Sequence, residues 1–428
     1  MISRLRKRLE PPASSPPVGR DLALEGVRGC CAALVFYAHL FLPFRVLDPV
    51  WTPSPRFSWF NLGYPAVLFF FVLSGYVIGL VTTGPATLPG VRRYLLHRAG
   101  RLLPLNTFAV LISLLLLGRA GWRTVTGNLL FLQNVEPYPI LGSFPLLENN
   151  PNLWSLNYEV VFYLGFIALW FRRPKVGWLF GGLLLLISVQ ATGWPLTNLV
   201  ARYACGSLYW LAGLTVAWMT APPAASVHRS NWPAAGLTVY ALWAFAPLHS
   251  LFLRCGWTGW IWPSLVSPGP MSPHRLDFLP VCVWLLLAVT GRAPAVRRLV
   301  TWICLSLATA GLAGRLLSAH WEGADTIAAM ALVAAWMFAG RDCSLRFLRW
   351  LAPLGTVSFA IYVIAAPLQL AQRAIFPNFS GSGLTFAARW VAVVVVVAMV
   401  AWLLERRLCP PIGRWIRGLG RRDGPMSR

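Results

Sequence analysis

Residues 24–39 read LEGVRGCCAALVFYAH, an apolar stretch that keeps an acid, Glu25, an arginine, Arg28, and a histidine, His39. Ionisable groups inside a membrane-length apolar segment are costly and tend to be functional. On a helix of 3.6 residues per turn, the step from Arg28 to His39 makes about three whole turns, so both side chains lie on one stripe, about 16 Å apart along the axis. Glu25 precedes Arg28 by three residues, within reach of an ion pair on that stripe. Two readings are open for such a segment. One is a helix with a snorkelling arginine and a buried, satisfied histidine; the other is a site.

The rest of the chain places this stretch in a membrane. Of 428 residues, 57% are hydrophobic and only 12% charged, with a mean hydropathy of +0.61. Soluble domains carry about 25% charged residues. About twelve apolar segments are long enough, or nearly so, to cross a bilayer core, at 22–44, 60–82, 102–118, 153–171, 176–192, 197–219, 232–249, 276–291, 298–318, 324–340, 352–372 and 387–405. The fold class is therefore an all-α polytopic membrane protein, a bundle of about 10–12 transmembrane helices.

The net charge of +24 does not point to nucleic acid, because no RNA- or DNA-binding motif accompanies it. All but two (Lys7 and Lys175) of the 37 basic residues are arginine, and most fall in alternate loops between apolar segments. That bias marks cytoplasmic loops and puts both termini in the cytoplasm. Three regions follow: a basic, Pro-rich tail at 1–21, a membrane domain at 22–407 and a basic tail at 408–428. No small-residue cleavage site follows a short apolar core near the start, so the first span is expected to be retained. The eight cysteines include no CxxC pair and mostly sit in apolar segments, and the six histidines form no HxH or HxxxH pair. No metal site is expected.

Three further stretches could carry chemistry. FFFVLSGYVIGL at 69–80 holds Ser74-Gly75, small residues that let helices approach closely or meet a ligand. RRYLLHRAGRLLP at 92–104 holds Arg98 and Arg101, three apart on one helix face before the third span. They suit either lipid headgroups or the phosphates of a cytoplasmic ligand, whose oxygens match guanidinium forks. NLWSLNYEVVFYLGF at 152–166 opens the fourth span with Trp154 and Ser155 and puts Glu159 inside it, ahead of Tyr163. A membrane-embedded carboxylate needs a partner or a shifted pKa.

Together and in this order, these stretches resemble the integral-membrane acyltransferase-3 family, whose members O-acylate sugars and other hydroxyl acceptors. The matching text is LEGVRG-x9-H, FFVLSGYVI, R-xx-R-LLP and LWSLNYE-xx-FY, with LGTVSFAIYVIAAP at 354–367 and LLER at 403–406 near the end. Three positions depart from the family's pattern: Glu25 stands for a usual Asp, Phe359 for a Tyr, and Ala365 for a His found in many members. The last change leaves His39 as the only histidine on a matching motif.

The resemblance implies transfer of an acyl group, acetyl by expectation, from cytoplasmic acyl-CoA to a hydroxyl of a saccharide or lipid-linked acceptor. It implies no tightly bound cofactor, and a bacterial inner membrane as the location. His39 is the candidate general base or covalent acyl carrier, and Glu159 its partner or the acceptor's ligand. Arg28, Arg98 and Arg101 are the candidate CoA-phosphate ligands, with Glu25, Ser74, Gly75, Trp154, Ser155 and Tyr163 as accompanying motif residues. Alternating spans would put His39 and Glu159 in one layer and the three arginines in another, about 16 Å away. The rival is a transporter or flippase, whose embedded charges line a solute path. Such proteins tend to show repeated halves, and the sequence shows none.

Overall fold

The computed structural model describes residues 21–39, 47–117, 120–134, 138, 141–192, 195–221, 227–256, 271–318 and 321–419. Most of the expected N-terminal tail and the end of the C-terminal tail lie outside these. Each of the twelve expected spans overlaps a helix. Among the described residues, the α-helices of five or more residues are α1 Leu22–Ala38, α2 Gly63–Val81, α3 Leu88–Leu117, α4 Trp122–Leu129, α5 Trp154–Arg172, α6 Val176–Ser188, α7 Pro195–Met219, α8 Trp232–Phe245, α9 Pro247–Arg254, α10 Phe278–Thr290, α11 Pro294–Leu317, α12 Gly323–Ala339, α13 Arg346–Trp350, α14 Ser358–Ile375, α15 Gly383–Leu403 and α16 Cys409–Gly418. Among the described residues, eight helical segments are long and apolar enough to cross a membrane, and α6 and α12 are shorter apolar helices. The described strands are β1 Arg229–Ser230 and β2 Cys343–Ser344, paired antiparallel. The protein is an all-α polytopic membrane protein.

Two boundaries differ from the sequence reading. The expected span at 232–249 is divided into α8 and α9 at Ala246, whose φ is +39°. Pro247 follows it, and proline disfavours a helical residue before it. The third span begins at Leu88 instead of near residue 102, because the arginines that lower its hydropathy do not interrupt the helix. Pro104 lies inside α3 and cannot donate to the carbonyl of Gly100 four residues earlier.

The described chain divides into two compact units interleaved along the sequence. The first takes residues up to Leu34, Pro55–Gly84 and Arg172–Pro353. Its central crossing joins α2 and α7 through small residues. A Cβ on Gly75 would lie 1.9 Å from the Trp210 carbonyl oxygen, and one on Gly213 would lie 1.9 Å from that of Val72. One turn on, Gly79 meets Ala217, and the Trp218 indole donates to the Gly79 carbonyl at 2.9 Å. Apolar helices in lipid associate through such close backbone approach, so Gly75 serves packing. Gly75→Ala is expected to destabilise the protein by about 1–3 kcal/mol through overpacking, read as a lower unfolding temperature in detergent. Gly181→Ala, where nothing lies within 4 Å of the added methyl, should not lower it. Equal behaviour of the two variants would show that the crossing tolerates a side chain.

The second unit takes Val35–Ser54, Pro85–Phe171 and Leu354 onward. Pro367 in α14 removes the N–H that would bond to the Val363 carbonyl. Asn150 Nδ2 donates to that carbonyl at 2.8 Å, and Asn152 Nδ2 donates to the Tyr362 carbonyl at 2.9 Å. The ENNPN run ahead of α5 is thus fastened to α14. At the other end of α14, Arg389 of α15 donates to the carbonyls of Leu47, Phe376 and Phe379 and to Gln372 Oε1. Asp48 beside it accepts from the Val50, Trp51 and Gly381 amides and from the Thr385 hydroxyl. Burial pushes the Asp48 carboxyl up, but these bonds outweigh it and hold its pKa below the ordinary value.

Candidate active site

The second unit brings α3, α5 and α14 together around a polar, aromatic cluster. On α3, Tyr94 and Arg98 are one turn apart, and on α5 Glu159, Tyr163, Phe166 and Trp170 follow at helical spacing, so each set shares a face. Arg98 stacks on two rings at once, 5.5 Å from the centroids of Tyr94 and Tyr163. Tyr94 packs against Phe166 at 5.1 Å and lies edge-on to Tyr163 at 6.4 Å. The Tyr163 hydroxyl donates to Glu159 Oε1 at 2.7 Å. The charges of Glu159, Arg98 and Arg101 all act on that hydroxyl. Tyr362 of α14 hydrogen-bonds with Ser155 and feels the Glu159 charge, so α14 closes a third side.

This arrangement departs from the two-layer expectation. Glu159 and Arg98 both engage Tyr163 and so lie one side chain apart, not at separate depths. The reason is local: Tyr163 sits one turn along α5 from the carboxylate, and α3 carries Arg98 well inside a continuous helix. Arg101 lies on the exposed side of the same turn.

His39 immediately follows α1 and belongs to the same unit. Its Nδ1 is buried with no hydrogen-bond partner among the described residues, and no hydrogen bond or ion pair joins it to Glu159 there. A buried orphan nitrogen is costly unless a ligand or water completes it. Trp154 meets Tyr158 edge-on at 5.5 Å at the start of α5. Arg28 and Glu25 form the expected ion pair in the first unit, with Nη1 at 3.0 and 3.1 Å from the two carboxylate oxygens. Ser74 and Gly75 also lie in the first unit, on α2.

The arginines differ in how their donors are used. Arg389 is saturated by carbonyls, and Arg292 Nη1 donates to the Ala217 and Thr220 carbonyls at the end of α7. Both are structural staples for orphan helix-end carbonyls. Arg98 is held by ring faces instead, its buried Nε meets no partner, and no described residue accepts a hydrogen bond from its guanidinium. That geometry fixes the cation while leaving its donors for something else.

Sequence reasoning missed Tyr94 and Tyr362. Tyr94 was visible as the i−4 neighbour of Arg98. Tyr362 is brought in only by the docking of the ENNPN run on α14.

A family model described as an acyltransferase domain matches residues 21–406. No curated protein and no solved structure matches the chain.

Proposed function

The chain belongs to the acyltransferase-3 family, and on that premise we propose that this membrane acyltransferase moves an acyl group from acyl-CoA to a hydroxyl of a saccharide or lipid-linked acceptor. Acetyl is the acyl group we favour. The arginine bias of alternate loops supports a cytoplasmic donor side and a bacterial inner membrane as the setting.

The observation that carries the donor assignment is Arg98. A guanidinium clamped between two tyrosine rings, with its N–H groups unused by the described protein, is preorganised for phosphate oxygens. Arg101, one turn on, adds charge at the exposed side. His39 acts as general base: its orphan Nδ1 marks a nitrogen that a hydroxyl can complete. As the imidazole takes the hydroxyl proton, the alkoxide adds to the thioester carbonyl. The tetrahedral intermediate then collapses, the carbon–sulfur bond breaks, and the CoA thiolate leaves and takes up a proton. Glu159, anchored by Tyr163, binds the acceptor.

The test is release of CoA thiol by the purified protein in nanodiscs, given acetyl-CoA and a panel of hydroxyl acceptors. Arg98→Ala should weaken CoA binding by roughly 10- to 150-fold, since a hydrogen bond to a charged group contributes about 1.5–3 kcal/mol. Unchanged affinity in a folded variant would return Arg98 to a lipid-anchor role.

A further inference from the structure

A second polar cluster lies in the first unit, at the turn that leads into α10, and none of its residues serves the chemistry proposed above. A short 3-10 turn, Pro273–Arg275, supplies His274 and Arg275, and Asp277 follows immediately before α10. His249 comes from α9, and its ring meets that of His274 edge-on at 5.1 Å between centroids. Ser272 Oγ lies 2.9 Å from His274 Nδ1 and fixes that ring. The Arg275 guanidinium lies over the Tyr64 ring of α2 at 5.0 Å, and the Arg275 carbonyl accepts from the Tyr209 hydroxyl of α7. The Arg275 charge acts on both imidazoles and on Asp277. His249 also faces Arg315, whose Nε pairs with Asp325 Oδ1 at 3.2 Å.

The hydrogen-bonding groups of this cluster are held in place without being used. Asp277 is 2% exposed and stands at the N-cap of α10, where an aspartate ordinarily accepts from amides of the first turn. It makes no capping bond, and its buried Oδ1 has no hydrogen-bond partner among the described residues. No ion pair joins it to Arg275 there, and no described residue accepts from the Arg275 guanidinium. The segment Pro273–Thr290 is apolar enough to cross a membrane, where an unmet carboxylate oxygen is costly. The histidines and Asp277 form no metal-binding group among the described residues. The Asp277 oxygen requires a hydrogen donor, and the guanidinium requires acceptors. A simple anion would meet the charge of Asp277, and a simple cation that of Arg275, so each is opposed by one like charge. A hydroxyl both donates and accepts, so neighbouring hydroxyls on one ring serve both groups. Arg275 and His249 are half-buried and form the exposed edge of the cluster, with Asp277 and His274 buried.

We propose that Asp277, Arg275 and His274 bind a neutral saccharide in the first unit, with Asp277 accepting from one ring hydroxyl and Arg275 donating to its neighbour. The assignment is independent of the roles given to His39, Glu159 and Arg98.

Saturation-transfer difference NMR on the full-length protein in nanodiscs reads such binding directly. The probes are glucose, galactose, mannose and rhamnose, with galacturonate and galactosamine as charged relatives. At least one neutral sugar should bind, and more tightly than either charged one. Its binding should persist in Glu159→Gln, which weakens the acceptor site of the second unit. Adding Asp277→Asn to that background should then weaken it by about tenfold or more, as loss of a hydrogen bond to a charged group implies. Arg275→Gln should do the same, and its half-buried position keeps the test decisive if the buried Asp277→Asn variant does not fold. Binding lost in Glu159→Gln but untouched by Asp277→Asn and Arg275→Gln would overturn the proposal and leave the acceptor assignment standing. Absence of saturation transfer to every neutral sugar would overturn it as well. Galacturonate as the tightest ligand would make this an anion site. Asp277→Asn with a raised unfolding temperature and unchanged sugar binding would show that water alone completes the carboxylate, and the proposal would fall.

Discussion

His39→Gln is expected to lower acyl transfer by about 10²- to 10⁴-fold, the contribution of a positioned general base, with folding preserved. Glutamine keeps polarity, approximate size and hydrogen-bonding capacity but cannot take a proton at neutral pH. The comparison with His39→Ala separates two roles for the buried orphan nitrogen. If the imidazole only fills a polar niche, Gln should restore most of what Ala loses. If it accepts the acceptor's proton, both variants should fail alike while CoA affinity stays at the wild-type level, because the donor phosphates are held elsewhere. Covalent relay through the imidazole is distinguished by quenching with radiolabelled acetyl-CoA in the absence of acceptor. Label retained on the wild-type protein and lost in His39→Gln would mark an acyl-histidine; no label would leave direct transfer. Near-normal turnover in the Gln variant would remove His39 from the chemistry.

The helices were legible because apolar length is a property of composition alone. What composition could not reveal was how the same residue type serves different ends. Arg98 stands just before an expected span and Arg389 at the start of one, and hydropathy alone does not tell their roles apart. The distinction is tertiary. Arg389 meets carbonyls released by the end of α14, whereas Arg98 meets two ring faces. The start of α3 was misplaced for a related reason, since arginines that lower hydropathy remain good helix formers. Gly75 could be read either as packing or as contact, and only the backbone crowding there, where an added Cβ would lie 1.9 Å from the Trp210 carbonyl oxygen, decides for packing. The fastening of Asn150 and Asn152 to α14 spans more than two hundred residues of sequence. The Asn150 bond follows from the missing N–H of Pro367, a local fact whose consequence appears only when the chain is folded.

Glu159→Gln is expected to reduce kcat/KM for the acceptor by about 10²-fold, the loss of a charged hydrogen bond at the upper part of its usual 1.5–3 kcal/mol range. The companion variants at Tyr163 show what the carboxylate is for. Tyr163→Phe deletes the hydroxyl that holds Glu159 Oε1 but keeps the ring beneath Arg98. It should therefore lower acceptor kcat/KM by roughly tenfold, as a hydrogen bond to a charged group implies, while CoA affinity stays near wild type. Tyr163→Leu removes the ring as well and should also weaken CoA binding, by about 2- to 5-fold for a cation–π contact of about 0.5–1 kcal/mol. In the double variant Glu159→Gln/Tyr163→Phe, losses should fall well short of additive, because the hydroxyl acts through the carboxylate it positions. Additive losses would mean that Tyr163 touches substrate independently. A Glu159→Gln protein altered in CoA affinity but not in acceptor kinetics would move the carboxylate to the donor side, and the acceptor would then need another ligand on α5 or α14.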